Sequence, residues 1–222
     1  MPRLDWKAFL AAGFPPRAAA AEADKDVLFR LHRWAGVRIA YPFYLLGVSG
    51  NHLSVLRLVM GIAGVALLLQ TARPWWAVAG ALLVYGQVLL DFSDGALARL
   101  SRPSALGELF DIIGCDAARL AMVVLLGLYT GSAALTVAAV GTGYVLTTFR
   151  VAAQDALPDE GAYKRLKGWS RRLMSDQWLV VLLPFGFAAM AVLGIEPRNV
   201  AGTLLGLYLA LAVVWMAVAA GR

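Results

Sequence analysis

The chain has 222 residues, 60% of them apolar and only 15% charged, against about 45–50% and 25% in an average soluble domain. With a mean hydropathy of +0.70, this excludes an ordinary soluble globule and predicts an all-α integral membrane protein of one domain with a short appendage. The net charge of +6 comes without a basic face interleaved with aromatics, so it points to cationic residues at a membrane surface and anionic lipid, not to nucleic acid.

A single cysteine rules out an intrachain disulfide framework and a thiolate zinc site. The first stretch, MPRLDWKAFLAAGFPP, lacks the uninterrupted apolar core of a secretory signal, so the anchors are expected to be internal. Residues 1–25 read as a tail, either loosely ordered or a surface helix, broken by Pro15 and Pro16. Residues 26–48 alternate apolar and basic positions at helical spacing, with Val27, Leu28, Leu31 and Trp34 against Arg30, Arg33 and Arg38. That pattern predicts an amphipathic juxtamembrane helix with its aromatics in the headgroup layer and Pro42 kinking or interrupting it. His32 reads there as an interfacial residue, not a ligand.

Residues 49–222 then present six apolar segments, about 53–70, 75–90, 106–129, 133–151, 178–193 and 200–219. Each approaches the roughly 20 residues that a bilayer crossing needs, and Ser49 or Asn51 is a suitable N-cap for the first. Lysines and arginines concentrate in the N-terminal segment, in the 2–3 link (Arg99, Arg102) and in the 4–5 link (Lys164, Arg165, Lys167, Arg171, Arg172). By the positive-inside rule these links and both termini face the cytoplasm, as expected for a plasma (inner) membrane protein. Gly202 and Gly206 on the last segment form a small-xxx-small pair suited to helix packing or dimerisation.

The chemistry is concentrated in DFSDGALARLSRPSALGELFDIIGCD, Asp91 to Asp116. A carboxylate near a bilayer core costs roughly 2.5–3.5 kcal/mol on insertion scales, so acids in such a place are functional candidates. Asp91 and Asp94 share a helix face, and Asp111, on the next helix, is expected to face back toward them. Close carboxylates need a cation, and oxygen-only ligands suit Mg2+ or Mn2+. Gly95 allows close approach of a ligand or an unwinding of the helix, and the planar fork of Arg99 suits a diphosphate. Metal ions held by carboxylates at two helix ends can bind a pyrophosphate and support phosphoryl transfer.

The stretch resembles the signature of the CDP-alcohol phosphotransferase (CDP-alcohol phosphatidyltransferase) family, D-x2-D-G-x2-A-R-x8-G-x3-D-x3-D. DFSDGALAR matches at Asp91, Asp94, Gly95, Ala98 and Arg99, and GELFD supplies Gly107 and Asp111. The resemblance implies six transmembrane helices behind an amphipathic helix and a two-metal Mg2+ or Mn2+ site. It implies transfer of a phosphatidyl group from CDP-diacylglycerol to an alcohol acceptor with release of CMP, and a homodimer. By resemblance Asp91, Asp94, Asp111 and Asp116 are metal ligands, Asp116 is also the catalytic base, and Gly95, Ala98, Arg99 and Gly107 line the cytidine diphosphate. Arg119 and Arg150, with the KRLKGWSRR run, would form a cationic rim for an anionic acceptor such as inositol phosphate or glycerol phosphate, although the run is also what cytoplasmic topology alone requires.

The chain departs from the signature twice. Seven residues separate Arg99 from Gly107 instead of eight, and the slot four after Asp111 holds Cys115, with Asp116 next. In a regular helix position 115 lies about 40° round from Asp111 and position 116 about 140°. Either a π-bulge near Gly114 brings Asp116 into the site as base, or Cys115 takes the slot, Asp116 pairs with Arg119 and the chain is a CDP-lipid-binding homologue with impaired catalysis. A thiol among carboxylates is a poor base, because neighbouring negative charge disfavours the thiolate. A cation transporter using the acids as its path is a further alternative, but it leaves the glycines and Arg99 without a role.

Overall fold

The computed structural model describes residues 4–15, 27–70, 72–100, 105–156, 165 and 176–220, with the side chains in 105–112, 149–156, 176–177 and 218–220 outside that description. Among the described residues the chain is all-α, with α1 (Trp6–Gly13), α2 (Val27–Leu45), α3 (Gly50–Leu68), α4 (Pro74–Leu100), α5 (Ala105–Tyr129), α6 (Ala133–Ala156), α7 (Leu183–Val192) and α8 (Arg198–Ala220).

Among the described residues three helices are long and apolar enough to cross a membrane, Gly50–Leu68, Pro74–Leu100 and Arg198–Ala217, and Ala133–Thr148 and Trp178–Val192 are shorter apolar helices. Their outer faces carry exposed Ile62, Val137 and Val213, a surface that water disfavours and hydrocarbon accepts. The fifth expected segment differs from a plain helix: Asp176–Leu182 is a π turn that leads into α7. The widened turn ends beside Pro184, whose missing N–H cannot continue an α ladder.

α2 runs through Pro42 and ends three residues later. Its end is a Schellman turn, with Gly47 at φ 74°, Gly47 N–H donating to the Tyr44 carbonyl and Val48 N–H to that of Phe43, each at 3.0 Å. Ser49 then occupies the N-cap position of α3. Its Oγ lies 2.9 Å from His52 Nδ1, its backbone N–H points to the same ring nitrogen, and its carbonyl accepts from the Leu53 N–H at 3.3 Å.

The residues divide into two compact units, Met1–Ala63 with Leu83–Cys115, and Gly64–Leu82 with Asp116–Arg222. In the first, α2 buries His32, Gly36, Val37, Ala40 and Tyr44. A Cβ at Gly36 would collide with Phe92 and lie 3.0 Å from the Leu89 carbonyl, so the two backbones meet there. Ser93 Oγ donates to the Gly36 carbonyl across that contact at 2.8 Å. His32 is buried beside the rings of Tyr85 and Phe92. Phe9, Leu53, Leu90, Ala96 and Leu97 complete this core.

In the second unit a Cβ at Gly80 would lie 2.6 Å from the Gly64 carbonyl and 2.7 Å from the Leu68 nitrogen, the close approach that small residues permit. Tyr129 hydroxyl donates to the Leu68 carbonyl at 2.6 Å, satisfying an acceptor at the end of α3. Its ring packs on Phe187 at 4.5 Å, and α8 packs along α6.

Candidate active site

α4 is helical without interruption from Pro74 through Asp91, Asp94 and Gly95 to Leu100. Of the two readings of Gly95, unwinding of the helix does not occur. One glycine costs about 1 kcal/mol in a helix, and the alanines and leucines around it favour continuation. Asp91 and Asp94 therefore stand one turn apart on one face, opposite Ser54 and Arg57, which are likewise three apart on α3.

Ser54 Oγ donates to Asp94 Oδ2 at 2.8 Å. Arg57 Nη1 donates to Asp91 Oδ1 and lies 3.5 Å from Asp94 Oδ2. The Arg57 side chain is 2% exposed, that of Asp94 6% and that of Asp91 27%. Asp94 is thus enclosed while Asp91 keeps an open side. Gly114 on α5 makes room for the guanidinium, since a Cβ there would strike it, with Nε at 3.1 Å. Gly50 brings α3 onto the same turn of α4, its Cβ position 3.2 Å from the Asp94 carbonyl.

Two carboxylates that reach one guanidinium already converge on a common cationic centre, which the guanidinium occupies as a stand-in for a cation. Their two formal negative charges exceed its one positive charge. The donor set is all oxygen, as Mg2+ or Mn2+ prefers, so Asp91 and Asp94 fit a divalent ion. Among the described residues no three His, Cys, Asp or Glu side chains are grouped so as to hold an ion, and the side chain of the third expected ligand, Asp111, lies outside the description. Gly107 is likewise on α5 with its surroundings undescribed, and so is the side chain of Arg150 on α6.

At Gly95 a Cβ would meet nothing closer than Arg99 Nη1 at 3.8 Å. Among the described residues packing does not require a glycine there, which leaves that side free for a ligand. Ala98 and Arg99 are exposed. Arg99 Nη1 donates to the Gly95 carbonyl at 2.8 Å and to that of Gly13, on α1, at 3.2 Å.

The base slot has a definite geometry. α5 is α-helical from Ala105 to Tyr129, and the π turn of this chain lies instead at Asp176–Leu182. The Cys115 thiol donates to Asp91 Oδ1 at 3.3 Å. Asp116 Oδ1 accepts from Arg119 Nη1 at 2.9 Å. Sequence reasoning passed over Ser54 and Arg57, and read Gly114 as the place of a bulge instead of as room for a guanidinium. An arginine in the second turn of a 19-residue apolar helix was the available signal, because such a charge needs a partner.

Residues 48–220 match the family model of CDP-alcohol phosphatidyltransferase. The chain belongs to that family. Membership of the CDP-alcohol phosphatidyltransferases makes it a transferase, of a family that moves a phosphatidyl group from a CDP-alcohol to an acceptor and is generally dependent on divalent metal. The matched region takes in α3 to α8 and the whole of the aspartate stretch, whereas α1 and α2 precede it. No curated protein and no solved structure matches the chain.

Proposed function

We propose that this phosphatidyltransferase uses CDP-diacylglycerol as donor and an alcohol as acceptor, releasing CMP, in phospholipid biosynthesis. The observation that carries the reading is the convergence of Asp91 and Asp94 on one cationic centre beside the open face of Gly95. Asp91, Asp94, Asp111 and Asp116 would hold two Mg2+ or Mn2+ ions. When bound, the ions supply neutralisation of the pyrophosphate and of the departing phosphate.

Gly95, Ala98 and Gly107 would line the cytidine diphosphate without side chains to obstruct it, and Arg99 would bind the diphosphate oxygens in bidentate fashion. Ser54 holds the Asp94 carboxylate in one orientation. The acceptor oxygen forms a bond to the phosphorus bearing the diacylglycerol as the bond from that phosphorus to CMP breaks. The acceptor proton passes to the Asp116 carboxylate, which must first part from Arg119. Arg119 and Arg150 would then meet a negatively charged acceptor such as inositol phosphate or glycerol phosphate.

A second reading is favoured by the thiol of Cys115 against Asp91: a homologue that binds CDP-lipid while its base slot holds a group unable to take the proton. Both readings place the chain in the plasma (inner) membrane with the aspartates and both termini toward the cytoplasm, supported by the distribution of arginine and lysine. A homodimer is supported by Gly202 and Gly206 on α8, where a Cβ would meet nothing within 4 Å among the described residues.

Purified protein with labelled CDP-diacylglycerol, Mn2+ or Mg2+ and a panel of serine, inositol, inositol phosphate and glycerol phosphate tests the choice. CMP release with one acceptor supports the transferase. CDP-lipid binding with no CMP across the panel supports the binding homologue, and absence of both sinks the CDP-lipid reading.

A further inference from the structure

α1 lies outside the matched region, yet it is built into the first unit with some care. Asp5 caps it through Oδ1 to the Ala8 N–H at 2.7 Å. Phe9 is 0% exposed, its ring 5.0 Å from Tyr41 and 5.2 Å from Tyr44. Trp6 meets Tyr41 edge-on at 5.0 Å, and the Tyr44 hydroxyl accepts from the Leu4 N–H at 3.0 Å. This aromatic anchor sets the far end of the helix on the motif: the Cβ position of Gly13 lies 3.7 Å from Ala96, and the Gly13 carbonyl takes the second hydrogen bond of Arg99.

We propose that α1 is a positioning element of the nucleotide site, holding the Arg99 guanidinium through the Gly13 carbonyl so that it receives the diphosphate of a CDP-lipid. The inference rests on the reading of Arg99 as a diphosphate ligand. The bond to the Gly95 carbonyl, four residues back on the same helix, fixes one point of a long side chain that is exposed at the helix end. A second acceptor from a separate element fixes the plane. Being a carbonyl, it orients the guanidinium without cancelling its charge, and it comes from the negative end of a helix, which favours a cation. A fork ordered in advance forms its bidentate bonds with less loss of freedom.

The test compares Phe9→Ala, Phe9→Leu, Arg99→Ala and the double variant F9A/R99A in the full chain, by CDP binding in Mn2+ and by KM and kcat for the CDP-lipid. Phe9→Ala is expected to weaken CDP binding and raise KM about two- to tenfold, the fold-change for leaving one long side chain to be ordered on binding, with a smaller change in kcat. Phe9→Leu keeps the buried apolar contact and should bind as wild type. The double variant should bind no worse than Arg99→Ala alone. Trp6→Ala loosens the same anchor and serves where Phe9→Ala does not fold.

If Arg99→Ala is defective while Phe9→Ala and Trp6→Ala bind CDP as well as wild type or more tightly, α1 has no such role or acts as an inhibitor, and the proposal is overturned. It is equally overturned if the Phe9 and Arg99 losses add. If Arg99→Ala itself binds CDP normally, the diphosphate reading of Arg99 fails first.

Discussion

Replacing Arg57 by methionine isolates what the guanidinium does for Asp91 and Asp94. Arg57 and Asp94 are almost wholly enclosed, with side chains 2% and 6% exposed, and breaking such a buried pair by removing one partner costs about 3–5 kcal/mol. The lower end applies here, because Asp91 is open on one side and Ser54 still donates to Asp94. About 3 kcal/mol, at roughly 2–4 °C per kcal/mol for a chain of this size, lowers the melting temperature in EDTA by roughly 6–12 °C. A divalent ion at a hundred times its Kd returns about 2.7 kcal/mol. Mn2+ should therefore restore most of the loss in Arg57→Met, and should raise the wild type less, since there the guanidinium must first leave the carboxylates. The assay is thermal unfolding in detergent by circular dichroism, with EDTA and with Mn2+. Equal melting of Arg57→Met and wild type in EDTA, or no larger Mn2+ shift in the variant, would refute the reasoning.

The other expectations are simpler. Asp94→Asn removes a carboxylate oxygen of the proposed metal site and should lower CMP release by at least about a hundredfold, measured at saturating CDP-lipid. Asp116→Asn should cost about 10²–10⁴ in kcat with CDP-lipid binding retained if Asp116 takes the proton, whereas unchanged turnover removes it from that role. Gly114→Ala should destabilise by about 1–3 kcal/mol, because its Cβ meets the Arg57 guanidinium, and denaturation should show this before any substrate is added. Gly95→Ala should leave the melting temperature within a degree or two, its Cβ having only Arg99 near it among the described residues, and should weaken CDP binding; normal binding would mean that no ligand uses that space.

Much of the architecture could be read from the sequence because apolar runs and glycine or proline breaks delimit helices regardless of their neighbours. The presence of α3, though it runs from Gly50 to Leu68 instead of about 53–70, the register of Asp91 and Asp94 on one face and Ser49, one of two residues suited to the start of α3, all follow from local rules. What local rules could not supply was partnership. Arg57 and the motif acids are separated by more than thirty residues, and only packing of α3 on α4 joins them. Pro42 does not interrupt α2, because a proline one turn from a helix end removes a single hydrogen bond where the helix is about to stop. The alternation of Trp6, Phe9, Leu10 and Phe14 was too short to distinguish a tail from a docked helix; its meaning came from Tyr41 and Tyr44 on α2. Cys115 and Asp116 show the converse, since helical angle alone predicted a thiol toward Asp91 and a carboxylate toward Arg119, and that is the geometry observed.

Gly13, Gly36 and Gly50 come from three different elements and all touch α4 between Leu89 and Ala98. Where helices meet through ordinary side chains, a small displacement is absorbed by a change of rotamer. Here it is resisted at Gly36 and Gly50 by main-chain atoms or by Cβ, neither of which has torsional freedom to yield. The two turns that carry Asp91 and Asp94 are therefore held by atoms that cannot rotate away, and side-chain torsion is the freedom left to their carboxylates.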